Sequence, residues 1–157
     1  MRPAAVVSAR SHSVQRAPAT AEIVPTTVEE LLAAARATLL RLAPVHAHDA
    51  MRDGALLVDI RSDAQRAADG TIPGAEFVSR NVLEWRLDPA CPHRDERLAS
   101  RRRLLMLICN EGYQSSLAAA TVQRFGPRPV ADVIGGFQAW RAAGLPIELA
   151  GASSATG

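Results

Sequence analysis

Cys109 closes the apolar run LLMLI, and the segment NEGYQ after it leads into a helix expected to begin at Ser115 or Ser116. A thiol placed there faces the amides of a tight, glycine-containing loop and the positive end of the following helix. Both favour an anion, so thiolate is expected over thiol, with a pKa below the free value of about 8.5. The same amides can hold a second anionic atom beside the sulfur, such as a persulfide or an oxyanion. Gly112 lets the backbone turn at the centre of this cradle without steric cost. A cysteine at a strand end also serves as buried filling. On strand, cysteine, loop and helix alone, both uses stay open.

Other chemistry-bearing residues have weaker settings. Asp59 and Arg61 flank the end of the run ALLVDI, and Arg80 follows AEFVS. Asp59 is expected to form a local ion pair that fixes its loop. Arg61 and Arg80 are expected to contact an anionic substrate. Trp85 is expected in the core or a pocket wall. Cys91 lies between prolines, as an incidental thiol or as a partner that resolves Cys109 as a disulfide; the latter needs close approach of the sulfurs. His46 and His48 are two apart and point to different sides of a helix. Cys91-x-His93 has no second ligand pair, so no metal is expected. Arg101, Arg102 and Arg103 form a solvated edge that could dock an acidic partner such as a sulfur-carrier protein.

The elements that must position these residues follow from periodicity. Thr27-x-x-Glu30 fits a capping box, and Leu31, Leu32, Ala35, Leu39 and Leu42 recur at helical spacing. An amphipathic helix is therefore expected over 27–41, able to pack on the sheet or on another chain. Pro44 interrupts it, and a short helix runs to about Arg52. ALLVDI, AEFVS, LLMLIC and VADVIGG read as four strands; the first and third, as continuous apolar runs, suit a sheet buried on both faces. RSDAQRAAD, NVLEWRL (with Asn81 as its N-cap), SSLAAATVQRF and FQAWRAAG read as the helices between and after them. Such alternation implies an α/β fold, a mostly parallel sheet with helices on both faces, whose function lies at the carboxyl ends of the strands. Residues 1–26 and 150–157 read as disordered tails on composition.

The chain has 157 residues, 48% hydrophobic and 22% charged, enough for one self-sufficient domain. No stretch approaches the ~20 apolar residues of a membrane span. Two cysteines are too few for a disulfide scaffold or a zinc quartet. All 18 basic residues are arginine, spread along the chain with a net charge of +2. That is no nucleic-acid footprint, which would concentrate them on one face. Without a secretory signal, and with cysteines expected reduced, the cytoplasm is the expected compartment.

Three segments together resemble single-domain rhodaneses, a family of sulfurtransferases. LLVDIRSDAQRAADGTIPGAEFV is similar to the family's first signature, with Asp59, Arg61 and Gly70-x-Ile72-Pro73-Gly74-Ala75. LICNEGYQSSLAAATVQRFG resembles its active-site loop, and VADVIGGFQAWRAAGLPI its closing signature, with Gly135-Gly136 and Trp140. The resemblance implies a five-stranded parallel sheet over 42–149 and Cys109 as the nucleophile and persulfide carrier. Asn110, Glu111, Gly112, Tyr113, Gln114 and Ser115 are then its substrate-binding cradle. It implies no cofactor, a small-molecule sulfur donor (thiosulfate, a mercaptoacid or a low-molecular-weight persulfide) and a thiol or cyanide acceptor. A sulfur-carrier protein is a further acceptor, and the chain is expected to be a monomer or homodimer. The alternative is a noncatalytic module of the same fold that senses sulfur species or binds a partner. The family commonly has Arg, Thr or Ser where this chain has Gln114, and Glu111 adds a carboxylate that weakens binding of a dianion. Rhodanese-like phosphatases and arsenate reductases resemble C-x5-R; here the sixth residue after Cys109 is Ser115, so the guanidinium clamp for a tetrahedral oxyanion is missing.

Overall fold

The computed structural model describes residues 24–100 and 102–151. The parts of the expected tails at 1–23 and 152–157, and Arg101, lie outside these residues. In chain order the elements are α1 (Val28–Thr38), β1 (Leu40–Leu42), α2 (Pro44–Arg52), β2 (Leu56–Asp59), α3 (Asp63–Asp69), β3 (Glu76–Phe77), α4 (Leu83–Leu87), β4 (Leu105–Ile108), α5 (Gln114–Val122), β5 (Val130–Val133) and α6 (Gly136–Ala142). The five strands pair in parallel in the order β1-β5-β4-β2-β3.

Alternation along the strands divides the core in two. Val58, Leu105 and Leu107 face one side and pack with Leu83 and Leu87 of α4 and with Ala118, Ala119 and Val122 of α5. Leu57, Met106, Ile108, Ala131 and Val133 face the other, against Ala47 of α2 and Phe137 and Trp140 of α6. Each fully buried Leu or Ile contributes about 1.5–3 kcal/mol. With both faces covered, β4 is apolar throughout, as its sequence shows.

Two elements differ from the sequence expectation. The helix expected over 27–41 ends at Thr38, and Leu40–Leu42 form an edge strand in register with Ala131, Asp132 and Val133. Leu39 and Leu42 continue the helical spacing, but β5 offers its free edge there, and ladder hydrogen bonds outweigh one further turn of helix. Asn81 does not cap α4; the chain enters that helix through a 3-10 turn over Arg80–Val82, and Asn81 Oδ1 instead accepts from Ser79 Oγ at 2.9 Å.

The chain runs from β2 outward to β3, then returns to β4 and continues to β5. The connections after β2 and β4 therefore leave in opposite directions, opening a crevice at their carboxyl ends. The pairing of Asp59 with Ile108 brings Arg61 and Cys109 to that crevice.

Candidate active site

Cys109 is 4% exposed, yet its sulfur is not sealed in hydrocarbon. The amides of Gly112 and Ser115 donate to Sγ at 3.2 and 3.3 Å. The Ser115 hydroxyl lies 3.2 Å from Sγ; it accepts from a thiol and donates to a thiolate. Ser115 is the second residue of the nine-residue α5, so the helix dipole adds to these donors. The sulfur opens on a cavity of about 260 Å³ lined by Gln65, Asn110, Glu111, Tyr113 and Gln114.

Amides can point inward only if the carbonyls of the same loop point outward. The carbonyl of Cys109 accepts from the amide of Phe137 at 2.8 Å and that of Asn110 from Gln138 at 3.0 Å. Both donors are at the start of α6. The carbonyl of Gly112 accepts from Arg36 Nη2 at 2.9 Å. The loop is thus gripped from behind by α6 and by α1. Gly112, at φ 84°, is seated so closely on α6 that a Cβ there would stand 2.7 Å from the amide nitrogen of Gly135. The Asn110 side chain is turned the same way, its Oδ1 accepting from Gln138 Nε2 at 3.0 Å.

A second network lies beneath the loop. Ser116 Oγ donates to Asp132 Oδ2 at 2.6 Å, and Arg41 of β1 holds Asp132 with both Nε and Nη2, at 2.9 and 3.1 Å. Asp132 and Ser116 are fully buried. Arg36 Nε donates to Ser116 Oγ at 3.1 Å. Sequence reasoning did not single out Arg36, Arg41, Ser116 or Asp132. The available signal was Asp132 itself: an acid within a four-residue buried strand requires a partner.

The remaining residues expected at the site are dispersed around it. Arg61 is buried and turned to Asp59, donating to Oδ2 through Nη2 at 2.7 Å and through Nε to both oxygens. Its Nη2 also reaches the Gly70 carbonyl at 2.8 Å, and its guanidinium lies 3.6 Å from the Phe137 ring centroid. It staples β2, α3 and α6, and it lines the cavity adjoining the Cys109 cavity, together with Arg80. Arg80 is paired with both oxygens of Glu84 at 2.8 and 2.9 Å. It lines an adjoining cavity of about 590 Å³ that also includes Ser79 and Asn81 and shares Gln65 and Gln114 with the first. Glu111 and Tyr113 are exposed at the rim. Trp85 is 55% exposed, because α4 buries Leu83 and Leu87 and turns Trp85 away from the core. Cys91 is a free, half-buried thiol in a separate cavity beside Trp85 and Phe125. Among the described residues, no three His, Cys, Asp or Glu side chains gather as metal ligands.

The rhodanese-like domain model matches residues 44–143. The chain belongs to the rhodanese-like family. It is 31% identical to the thiosulfate sulfurtransferase GlpE of Pseudomonas fluorescens over 73% of this chain and 94% of that protein. The Haemophilus influenzae (strain PittEE) protein of the same name is 28% identical over 69% of this chain and 94% of its own length. Among solved structures, a Rhodopseudomonas palustris protein of unknown function, described as a possible tyrosine phosphatase, is 32% identical with a TM-score of 0.73. That alignment covers 82% of this chain and 99% of the other. Both α1 and β1, and with them Arg36 and Arg41, precede the matched region of the rhodanese-like family.

Proposed function

We propose that this rhodanese-like chain is a sulfurtransferase that carries sulfane sulfur as a persulfide on Cys109. The observation that carries the reading is the triple contact on Sγ, from two amides and one hydroxyl, in a loop whose carbonyls are tied away from it. The Cys109 thiolate attacks the outer sulfur of a donor, the donor's S–S bond breaks, and its inner group leaves with the bonding pair. From thiosulfate that group is sulfite and from a persulfide it is a thiolate; from a mercaptoacid with a 2-oxo group the C–S bond breaks instead, and the carbon part leaves with the bonding pair as an enolate. A thiol or cyanide then attacks the outer sulfur of Cys109-S-S⁻ and returns the thiolate, so ping-pong kinetics are expected. The named relatives support sulfur transfer in general.

The lining of the site favours a low-molecular-weight persulfide or mercaptoacid over thiosulfate. Arg61 is paired with Asp59, Arg80 with Glu84, and among the described residues no arginine lines the Cys109 cavity, while Glu111 stands at its edge. A dianion therefore gains no guanidinium contact there. The adjoining cavity of about 590 Å³ has room for the organic part of a donor or acceptor. The same lack of a guanidinium argues against phosphatase chemistry, which needs a clamp for the tetrahedral oxyanion. A sulfur-carrier protein remains an acceptor in this account, docked at Arg102 and Arg103. We read the domain as 42–149 extended by α1 and β1 before it. No helix among the described residues is long and apolar enough to cross a membrane. Two unpaired cysteines suit a reducing compartment, and we place the protein in the cytoplasm.

The test is a donor screen read as the mass of Cys109. Gain of one sulfur from a persulfide or mercaptoacid, lost on adding cyanide, is the expected result, and Cys91→Ser leaves it unchanged. If thiosulfate, a mercaptoacid and glutathione persulfide all fail to load the thiol, the protein is the noncatalytic sensor or partner-binding module.

A further inference from the structure

The loop that holds Cys109 has three outward carbonyls, and their donors differ in origin. Those of Cys109 and Asn110 are taken by backbone amides of α6, inside the family-matched region. That of Gly112 is taken by the Arg36 side chain, from a helix the family model does not include. Ser116 Oγ lies 3.1 Å from the same carbonyl, but its single hydrogen has a better acceptor in the Asp132 carboxylate at 2.6 Å. Arg36 is then the donor that orients the Gly112–Tyr113 peptide. Its guanidinium is itself fixed, by Nε on Ser116 Oγ at 3.1 Å and by the Tyr113 ring, whose centroid lies 5.5 Å away. Asp132, gripped by Arg41, anchors that chain.

A trans peptide puts the N–H of one residue opposite the carbonyl of the residue before it. With the Gly112 carbonyl turned out to Arg36, the N–H of Tyr113 points away from Arg36, and in sequence it lies between the two amides that already meet Sγ. No acceptor takes that N–H among the described residues. We propose that Arg36 is a positioning residue for sulfur transfer: it holds the Tyr113 amide inward to receive the outer, negatively charged sulfur of the Cys109 persulfide. A donor oriented before the charge arrives needs no reorganisation during transfer. The inference rests on the persulfide reading, and it makes α1 part of the working site.

The experiment compares wild type with Arg36→Met, which keeps an apolar stem without charge, and Arg36→Lys, which keeps a cationic donor. Single-turnover loading from glutathione persulfide is followed by mass, alongside alkylation of Cys109 by iodoacetamide and thermal melting. The saturating loading rate of R36M is expected to fall roughly tenfold with its half-saturation concentration little changed. R36K is expected to recover most of that loss, with melting temperatures similar across the three. Should R36M not fold, Arg36→Gln, whose amide ends two bonds short of the Nη2 that meets the Gly112 carbonyl, takes its place with the same expectation of slowed loading. Loading by R36M at the wild-type rate overturns the proposal, as does R36K remaining as slow as R36M while equally stable. A wild type that accepts no sulfur overturns the persulfide reading instead. Alkylation, which needs no donor, then decides on Arg36: slower reaction in R36M supports its hold on the loop, and an equal rate removes it.

Discussion

Gly136 stands so near the back of the Cys109 peptide that a Cβ on it would lie 2.5 Å from the Cys109 carbonyl oxygen and 2.7 Å from the Gly112 nitrogen. Its φ of 60° is also one that side-chain-bearing residues rarely adopt. The start of α6 can therefore touch the loop, and donate to its carbonyls, only because this position has no side chain. Gly136→Ala should cost on the order of 1–3 kcal/mol of stability from backbone strain alone. It should slow sulfur loading of Cys109 by on the order of a hundredfold, the scale of effect of a 1 Å misplacement of a catalytic group. Thermal melting and single-turnover loading check both; a fully active Gly136→Ala protein would mean that the α6 contact does not shape the cradle.

Ser115 contributes two donors to the sulfur, and only one survives substitution. Ser115→Ala removes the hydroxyl 3.2 Å from Sγ and keeps the amide at 3.3 Å. A hydrogen bond to a charged group is worth about 1.5–3 kcal/mol. The loading rate should therefore fall at least roughly tenfold while melting changes little, because the loss falls on the ionised sulfur. Loading at the wild-type rate would show that the two amides suffice.

Asp132→Asn tests the buried network. The carboxylate is fully buried and shared by Arg41 and Ser116, whereas the Arg41 side chain is 23% exposed and can regain water. The expected cost is about 2–3 kcal/mol, at or below the lower end for breaking a buried pair. Chemical denaturation measures it. Arg36 should also grip the Gly112 carbonyl less firmly, so loading should slow at temperatures where the variant is folded. A variant as stable as wild type would remove Asp132 as the anchor.

The start of α1 should respond to acid. Glu30 Oε2 accepts from the Thr27 amide at 2.8 Å and from Thr26 Oγ1 at 2.9 Å, and these bonds, the Thr27 amide first, hold its carboxyl below its ordinary value of 4.5. The unfolded helix start then binds more protons, so this contribution is present above 4.5 and is lost as pH falls through the folded value. Amide exchange at the first turn of α1, corrected for intrinsic rates, should speed up below that pH in wild type and lose this dependence in Glu30→Gln. Parallel behaviour of the two proteins would contradict the assignment.

How legible these features were depends on how local their causes are. LLMLI followed by a cysteine, a glycine and a helix is a local pattern, and β4, the cradle and α5 follow from it. The Thr27 and Glu30 capping box is equally local, and it starts α1 where expected. β1 was hidden because Leu40–Leu42 extend a helical leucine spacing, and only the free edge of β5, some ninety residues later, turns them into a strand. The ion pair of Arg61 with Asp59, two residues away, was local, whereas its pairing with the Gly70 carbonyl and the Phe137 face was hidden because it joins three elements. Arg36 was invisible for the same reason. Its partners Gly112 and Ser116 lie more than seventy residues away, and nothing in the spacing of α1 distinguishes it from a solvated arginine.

The most direct measurement is the intact mass of the protein after brief exposure to glutathione persulfide, with and without Cys109→Ser. Sulfur carriage on Cys109 requires one added sulfur atom on wild type, removed by cyanide as thiocyanate, and none on the folded Cys109→Ser protein. An unmodified wild type, or an equal gain on the serine variant, would contradict it.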